Sequence, residues 1–202
     1  MKKSKFFIYA CIFILTGILF DSCKSIPSSY RQSPELSRNL LAVGQLNENQ
    51  LADYFIKHNP SARKNEIKKF ARIYIEEARA EGINSDVAFA QMCLETGYLT
   101  FGNLVQPEWH NYCGLGAMDA EHPGERFDSP QLGVRAHIQH LQAYATTEEV
   151  KLNKPLVDPR YNWVHKTKFI EDIFGLTGTW AMDPNYAAKL ERILQEMELA
   201  RP

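Results

Sequence analysis

The segment Ser85 to Gly97, SDVAFAQMCLETG, restricts the fold more than any other stretch. Val87, Phe89, Ala90, Met92, Cys93 and Leu94 make it a helix that is apolar on most sides. Such a helix is stable only inside a core, where neighbouring elements cover every face. The rest of the domain must therefore wrap around one short helix. Ser85 is placed to cap its start, Asp86 suits the positive end of the helix dipole, and Gly97 supplies a left-handed stop. One acid interrupts the apolar surface. Glu95 lies in the last turn, on a stripe with Ala88, Gln91 and Met92. A carboxylate there faces the negative end of the dipole, and burial adds a desolvation cost to its charged form. Both effects raise the pKa, so Glu95 is a candidate general acid. The plainer alternative is a solvated glutamate at a fraying helix end.

Helical periodicity recurs on both sides of this segment. Asn47 to Lys57 presents Leu51, Tyr54 and Phe55 on one face and stops near Asn59-Pro60. Lys64 to Glu81 places Ile67, Phe70, Ala71, Tyr74, Ile75 and Ala78 at helical spacing and ends at Gly82. Its charged residues, among them Lys68, Arg72, Glu76 and Glu77, read as a solvated face. Ser129-Pro130 opens a further helix with Val134, Ile138, Leu141 and Ala145 as its core stripe. Pro155 to Trp163 reads as a loop, Lys168 to Phe174 as a short helix, and Asp183-Pro184 as the start of a last helix. Between Leu99 and Phe127 no period holds, and glycine and proline recur, which predicts a loop with short strands at most. The expected class is mainly α.

The N-terminus reads differently. Lys2, Lys3 and Lys5 precede the apolar run Phe6 to Phe20, and Cys23 follows. A basic start with a short apolar run is an export signal, and this run is shorter than the ~20 residues of a membrane span. FDSC resembles a relaxed lipobox, the cleavage site of bacterial lipoproteins, which implies that Cys23 becomes the lipid-modified first residue. Asp21 departs from the usual small residue, so ordinary cleavage elsewhere or an uncleaved anchor stays open. The expected organisation is a signal peptide over 1–22, a lipid-anchored tether over 23–45 that is rich in serine and polar residues, and one domain over 46–202. A lipidated Cys23 places that domain in the cell envelope, held to a membrane. The chain has 202 residues and a formal charge of -1, which gives no reason to expect nucleic acid as a partner. A monomer is expected.

The loop region holds residue types that bind sugars: Tyr98, Phe101, Trp109, Asn111 and Tyr112. Aromatic faces pack on sugar rings, and amides bond hydroxyl and acetamido groups. Each is also an ordinary loop-packing residue. His137 and His140 share a stripe with Tyr144, but no carboxylate completes a known zinc pattern, so they read as structural hydrogen-bonding histidines. No metal and no cofactor is expected. Cys93 and Cys113 remain after the signal; an exported setting permits a disulfide between them, and two buried thiols are the alternative.

Five stretches together resemble one family: YIEEARAEGINSDVAFAQMCLETGYLTFGN, HNYCGLGA, GERFDSPQLGVRAHIQHLQAYA, VDPRYNW and TWAMDPNYAAKL. They resemble, in order, the bacterial glucosaminidase domains of glycoside hydrolase family 73, in the lysozyme-like superfamily. The resemblance covers roughly Leu46 to Met197. It implies a lysozyme-like helical fold with a loop or short-strand lobe after the catalytic helix, and a groove for a glycan strand. It implies hydrolysis of the β-1,4 bond between N-acetylglucosamine and N-acetylmuramic acid in peptidoglycan. The family's catalytic glutamate falls on Glu95, its asparagine-and-glycine loop on Asn111, Tyr112 and Gly114, and its closing motif on Trp180 and Tyr186. His110 and Cys113 depart from the common loop pattern.

Glycoside cleavage uses an acid for the leaving oxygen and a second group for water or the sugar cation. Glu125, about thirty residues after Glu95, is the first choice for the second group. A solvated loop acid is its plainer reading, and the substrate's own acetamido group is the chemical alternative. The expected substrate-binding set is Tyr98, Asn111, Tyr112, Gly114 and Tyr186. Two rival functions remain: a lytic transglycosylase, in which the sugar's own hydroxyl attacks, and a peptidoglycan-binding lipoprotein without turnover.

Overall fold

A computed structural model describes residues 35–102, 104–147 and 149–201. The export signal, Cys23 and the first part of the tether lie outside the described residues. Among the described residues six α-helices form: α1 (Glu48–His58), α2 (Lys64–Glu81), α3 (Ser85–Thr96), α4 (Pro130–Ala145), α5 (Tyr161–Thr167) and α6 (Tyr186–Leu199). The mainly helical, lysozyme-like expectation is met. Among the described residues the only β pairing is a set of isolated bridges, so the lobe after α3 is loop.

The apolar helix is the centre of the domain. From Ser85 to Cys93 every residue of α3 is buried, and α2, α4 and α6 pack around it. Fully burying a side chain such as Phe89 stabilises the fold by roughly 1.5–3 kcal/mol, so truncating several in α3 would exceed the stability of most domains. The cap at its start is Asn84 and not Ser85: Asn84 Oδ1 accepts from the amides of Asp86 at 3.0 Å and Val87 at 3.5 Å. Gly97 ends the helix in the left-handed region as expected. Ser129 caps α4, accepting from the Leu132 amide. Gly133 on α4 is required by crowding, since a Cβ there would stand 1.8 Å from the His110 carbonyl oxygen. That contact seats the 110–117 loop directly on α4.

Three expectations are corrected. Glu35 to Gln45 is packed on the domain and does not act as tether. Leu36 and Leu40 are buried, and the Leu40 amide donates to the Glu171 carbonyl at 2.9 Å. The Arg38 guanidinium forks onto Glu191 and also bonds Glu198, fixing the segment to α6. Glu77 is buried and not solvated; Arg135 and Gln131 of α4 bond its carboxylate and hold it below the usual range against the cost of burial. The short helix expected over Lys168–Phe174 forms one segment earlier, as α5, with a 3₁₀ turn at Ile173–Leu176. Buried Asp158 explains the shift: its Oδ1 accepts from the Arg160 amide and turns the chain into α5.

Candidate active site

Glu95 lies in the last turn of α3 and lines a cavity of about 440 Å³. The indole N–H of Trp180 donates to Glu95 Oε1 at 3.0 Å, and the Tyr186 hydroxyl donates to the same oxygen at 2.5 Å. Oε2 accepts no bond from any described residue. Burial pushes the Glu95 carboxyl above its ordinary range, and the two donors pull against that rise without cancelling it. A carboxyl group in this state holds a proton closer to neutral pH and offers it from the oxygen that the protein leaves open.

The donors are themselves held. Trp180 packs against the rings of His140 at 5.0 Å and Tyr144 at 5.3 Å. Tyr186, the first residue of α6, accepts from Gln91 Nε2 at 2.7 Å. Gln91 Oε1 meets His137 Nε2 at 3.0 Å, and His137 Nδ1 meets the Tyr74 hydroxyl at 3.0 Å. Burial lowers the His137 pKa to about 3, so the ring is neutral. The bonds then run one way. Tyr74 donates to His137, His137 to Gln91, Gln91 to Tyr186 and Tyr186 to Glu95. Burial and the neighbouring carboxyl push the Tyr186 pKa well up, which keeps its proton in place as a donor. His137 and His140 are thus hydrogen-bonded side chains of the core, His140 meeting Asp158 at 2.7 Å.

The chain leaves α3 through a costly turn. Tyr98, Leu99 and Phe101 have left-handed φ values of 56°, 60° and 52°. That region costs a non-glycine residue of order 1–3 kcal/mol, and such strain clusters at functional sites. Thr96 compensates: its hydroxyl oxygen accepts from the Leu99 amide and its carbonyl from the Phe101 amide. The turn brings Phe101 to the cavity wall, beside Leu104 and Val105.

Of the expected site residues, Glu95, Asn111 and Gly114 line this cavity, and Tyr186 reaches it through its bond to Glu95. Asn111 is buried. Its amide donates to the carbonyls of Leu115 and Glu125 and accepts from the Leu115 amide, so it fixes the loop that forms one wall. Tyr98 lies elsewhere: its ring stacks on His58 of α1 at 4.5 Å and its hydroxyl meets that of Tyr54. Tyr112 is buried edge-on against Phe70. Trp109 is covered by the Arg126 guanidinium, 4.1 Å above its ring. Glu125 packs its side chain beside Gly116 and is not among the residues lining the Glu95 cavity. Cys93 and Cys113 are free, buried thiols. The sequence does not specify the direct bond from Trp180 or the Gln91–His137–Tyr74 chain. Trp180 was visible in the closing motif; the buried polar chain left no sequence signal.

A helical domain that sets one half-buried, pKa-raised carboxyl group against an open cavity has the equipment of a lysozyme-like glycoside hydrolase. The glucosaminidase family model, described as mannosyl-glycoprotein endo-beta-N-acetylglucosaminidase, matches residues 71–199, more than half of the chain. The chain belongs to this glucosaminidase family. It is also similar to an uncharacterised protein of Borreliella burgdorferi, 41% identical over 158 residues that span 78% of this chain and 76% of that one. No solved structure matches the chain.

Proposed function

We propose that this protein is a peptidoglycan hydrolase that cleaves the β-1,4 bond between N-acetylglucosamine and N-acetylmuramic acid, as an endo-β-N-acetylglucosaminidase. The observation that carries the reading is Glu95, with its pKa raised and both protein donors on one oxygen. Glu95 protonates the leaving glycosidic oxygen from Oε2, while Trp180 and Tyr186 hold the carboxyl group still. As the bond breaks, the carboxylate that forms is stabilised by those same two donors, a gain made in the transition state and not before it.

The second group is Glu125 or the substrate's acetamido oxygen. Glu95 is the sole carboxylate among the described residues lining the cavity, which favours the acetamido route. The same observation also keeps a second reading in play. A lytic transglycosylase needs one acid only, because the sugar's own hydroxyl attacks. Digestion of purified peptidoglycan with mass analysis separates these routes. The hydrolase reading expects fragments with a reducing N-acetylglucosamine end. Anhydro-muramic ends would replace it with the transglycosylase, and intact sacculi would leave a binding protein. Glu125→Gln should reduce release less than tenfold if the acetamido group acts.

The protein acts in the cell envelope as a monomer anchored by lipid on Cys23. The motivation is the basic and apolar N-terminus before that cysteine. Two acyl chains hold a protein stably on a bilayer. Cys23→Ala should release the domain from membranes or block its processing; unchanged membrane fractionation at unchanged mass would contradict the anchor.

A further inference from the structure

A second cavity, of about 230 Å³, adjoins the Glu95 cavity and shares Cys113, Gly114, Ala117 and Trp180 with it. Three residues of α5 and its caps give its far side a distinct chemistry: Arg160 at the N-cap, Trp163 in the helix and Lys168 at the C-cap. Neither cation has a carboxylate partner among the described residues. Structural cations of this domain behave differently, since Arg38 bonds two glutamates and Arg135 bonds Glu77. Asp158 stands two residues before Arg160, yet its carboxylate is taken by His140 and by the Arg160 backbone amide. The Arg160 guanidinium lies 5.8 Å from the Trp163 ring, and that ring is 57% exposed.

The two cavities meet at a wall of small residues. Gly114 has a φ of 66°, and a Cβ added there would meet nothing within 4 Å. The loop therefore offers bare backbone at the shared wall, beside the small Ala117 and the indole of Trp180. The second cavity therefore lies next to the one that Glu95 lines, with four lining residues in common. Two uncompensated cations in one recess favour an anion, and a planar guanidinium fits a carboxylate with two parallel bonds. An exposed tryptophan face adds a surface for the apolar part of the same ligand.

On a peptidoglycan strand cleaved at Glu95, the carboxylates within one ring of the broken bond belong to the muramyl substituent. We infer that the second cavity receives the carboxylate-bearing peptide on the muramyl ring beside the scissile bond, with Arg160 and Lys168 bonding the carboxylate and Trp163 covering the chain. This inference rests on the glycan-cleaving reading above.

The test is the Arg160→Ala, Lys168→Ala double variant, made in the active protein and in a Glu95→Gln background. Arg160 is exposed and Lys168 half-buried, so the fold should survive, as thermal unfolding will confirm. In the active protein, reducing-end release is measured on peptide-bearing strands and on strands stripped of peptide. On peptide-bearing strands KM should rise about tenfold, the effect of losing a charge-assisted hydrogen bond, while kcat falls less than about threefold. On stripped strands, which keep only the lactyl carboxylate, KM should change less than about twofold. An equal rise on both substrates would overturn the peptide assignment, because the two strands have no muramyl carboxylate in common. An unchanged KM on peptide-bearing strands would overturn the inference outright. The Glu95→Gln background reads the cavity without turnover. Its binding to sacculi should weaken about tenfold with the double substitution and lose most of its salt dependence. If the unsubstituted protein releases nothing from either substrate, the glycosidase reading fails, and the binding arm still decides the cavity: unweakened binding overturns the inference.

Discussion

The two ends of α3 hold the same kind of group in opposite arrangements. Asp86 sits in the first turn and Glu95 in the last, and burial raises the pKa of both. Asp86 uses both oxygens: Oδ2 accepts from the Gln45 amide at 2.7 Å and Oδ1 from the Leu46 amide at 3.2 Å. Glu95 takes both donors on Oε1 and leaves Oε2 to the cavity. Asp86 also sits at the favourable end of the helix dipole, and Glu95 at the adverse end. Burial and a raised pKa therefore do not by themselves mark a reactive carboxyl group. The distinction is whether an oxygen stays open to a ligand. The acid with both oxygens bonded ties residues 45 and 46 to the core, and the acid with one oxygen bonded is equipped to transfer a proton.

The largest expected effects break this comparison directly. Glu95→Gln should lower fragment release by roughly 10²–10⁴, the worth of general acid catalysis, with thermal stability unchanged or slightly higher at neutral pH. Asp86→Ala should do the reverse. It leaves two backbone N–H groups without their acceptor, at about 1–3 kcal/mol for each buried one, while the folded fraction keeps near-normal activity. Thermal unfolding and fragment release on the same preparations check both. An inactive but stable Asp86→Ala protein would end the division of roles.

A smaller effect is expected at the donors. Tyr186→Phe keeps the ring but removes one bond to Glu95 and leaves Gln91 Nε2 unpaired. Activity should fall about tenfold, equal to about 1.4 kcal/mol of transition-state stabilisation. Full activity in the folded variant would make the hydroxyl a packing detail.

The smallest effect sharpens the electrostatics. The folded pKa of Glu95 lies above its unfolded value, near 4.3. Its ionisation therefore costs the folded state nothing below that pH, costs more as pH rises through the window up to the folded pKa, and is constant above it. Glu77 and Glu191, with lowered pKa values, act in the opposite sense: they stabilise above their unfolded pKa and lose that contribution as pH falls. Their effect is common to wild type and Glu95→Gln and cancels in the difference. The variant should melt slightly above wild type at neutral pH, with the gap closing as pH falls through the folded pKa toward about 4.3 and closed below it. A gap independent of pH would contradict the raised pKa.

Much of this was legible in the sequence because it is local. The bounds of α2 and α4 follow from periodicity and flanking signals, and the apolar character of α3 alone placed it at the centre. The raised pKa of Glu95 followed from its position on that helix. What was not legible depends on partners far along the chain. Glu77 looks solvated until Arg135 is brought opposite it from α4. The 35–45 segment has no period, and its anchors are Glu171, Glu191 and Glu198. Asn84 and Ser85 are both capping types, and the backbone conformation chose between them. Tyr98 carries a sugar-binding ring, but the left-handed turn after Gly97 directs it to α1.

The pH dependence of kcat/KM, for wild type and Tyr186→Phe on the same peptidoglycan strands, tests the central claim most directly. Its alkaline limb reports the acid that must be protonated in the free enzyme. The account predicts a limb above the ordinary glutamate pKa of about 4.3, moving further up in Tyr186→Phe, because the lost bond had favoured the charged form. A limb at or below the ordinary value, or one that Tyr186→Phe leaves in place, would contradict Glu95 as the proton donor held by Tyr186.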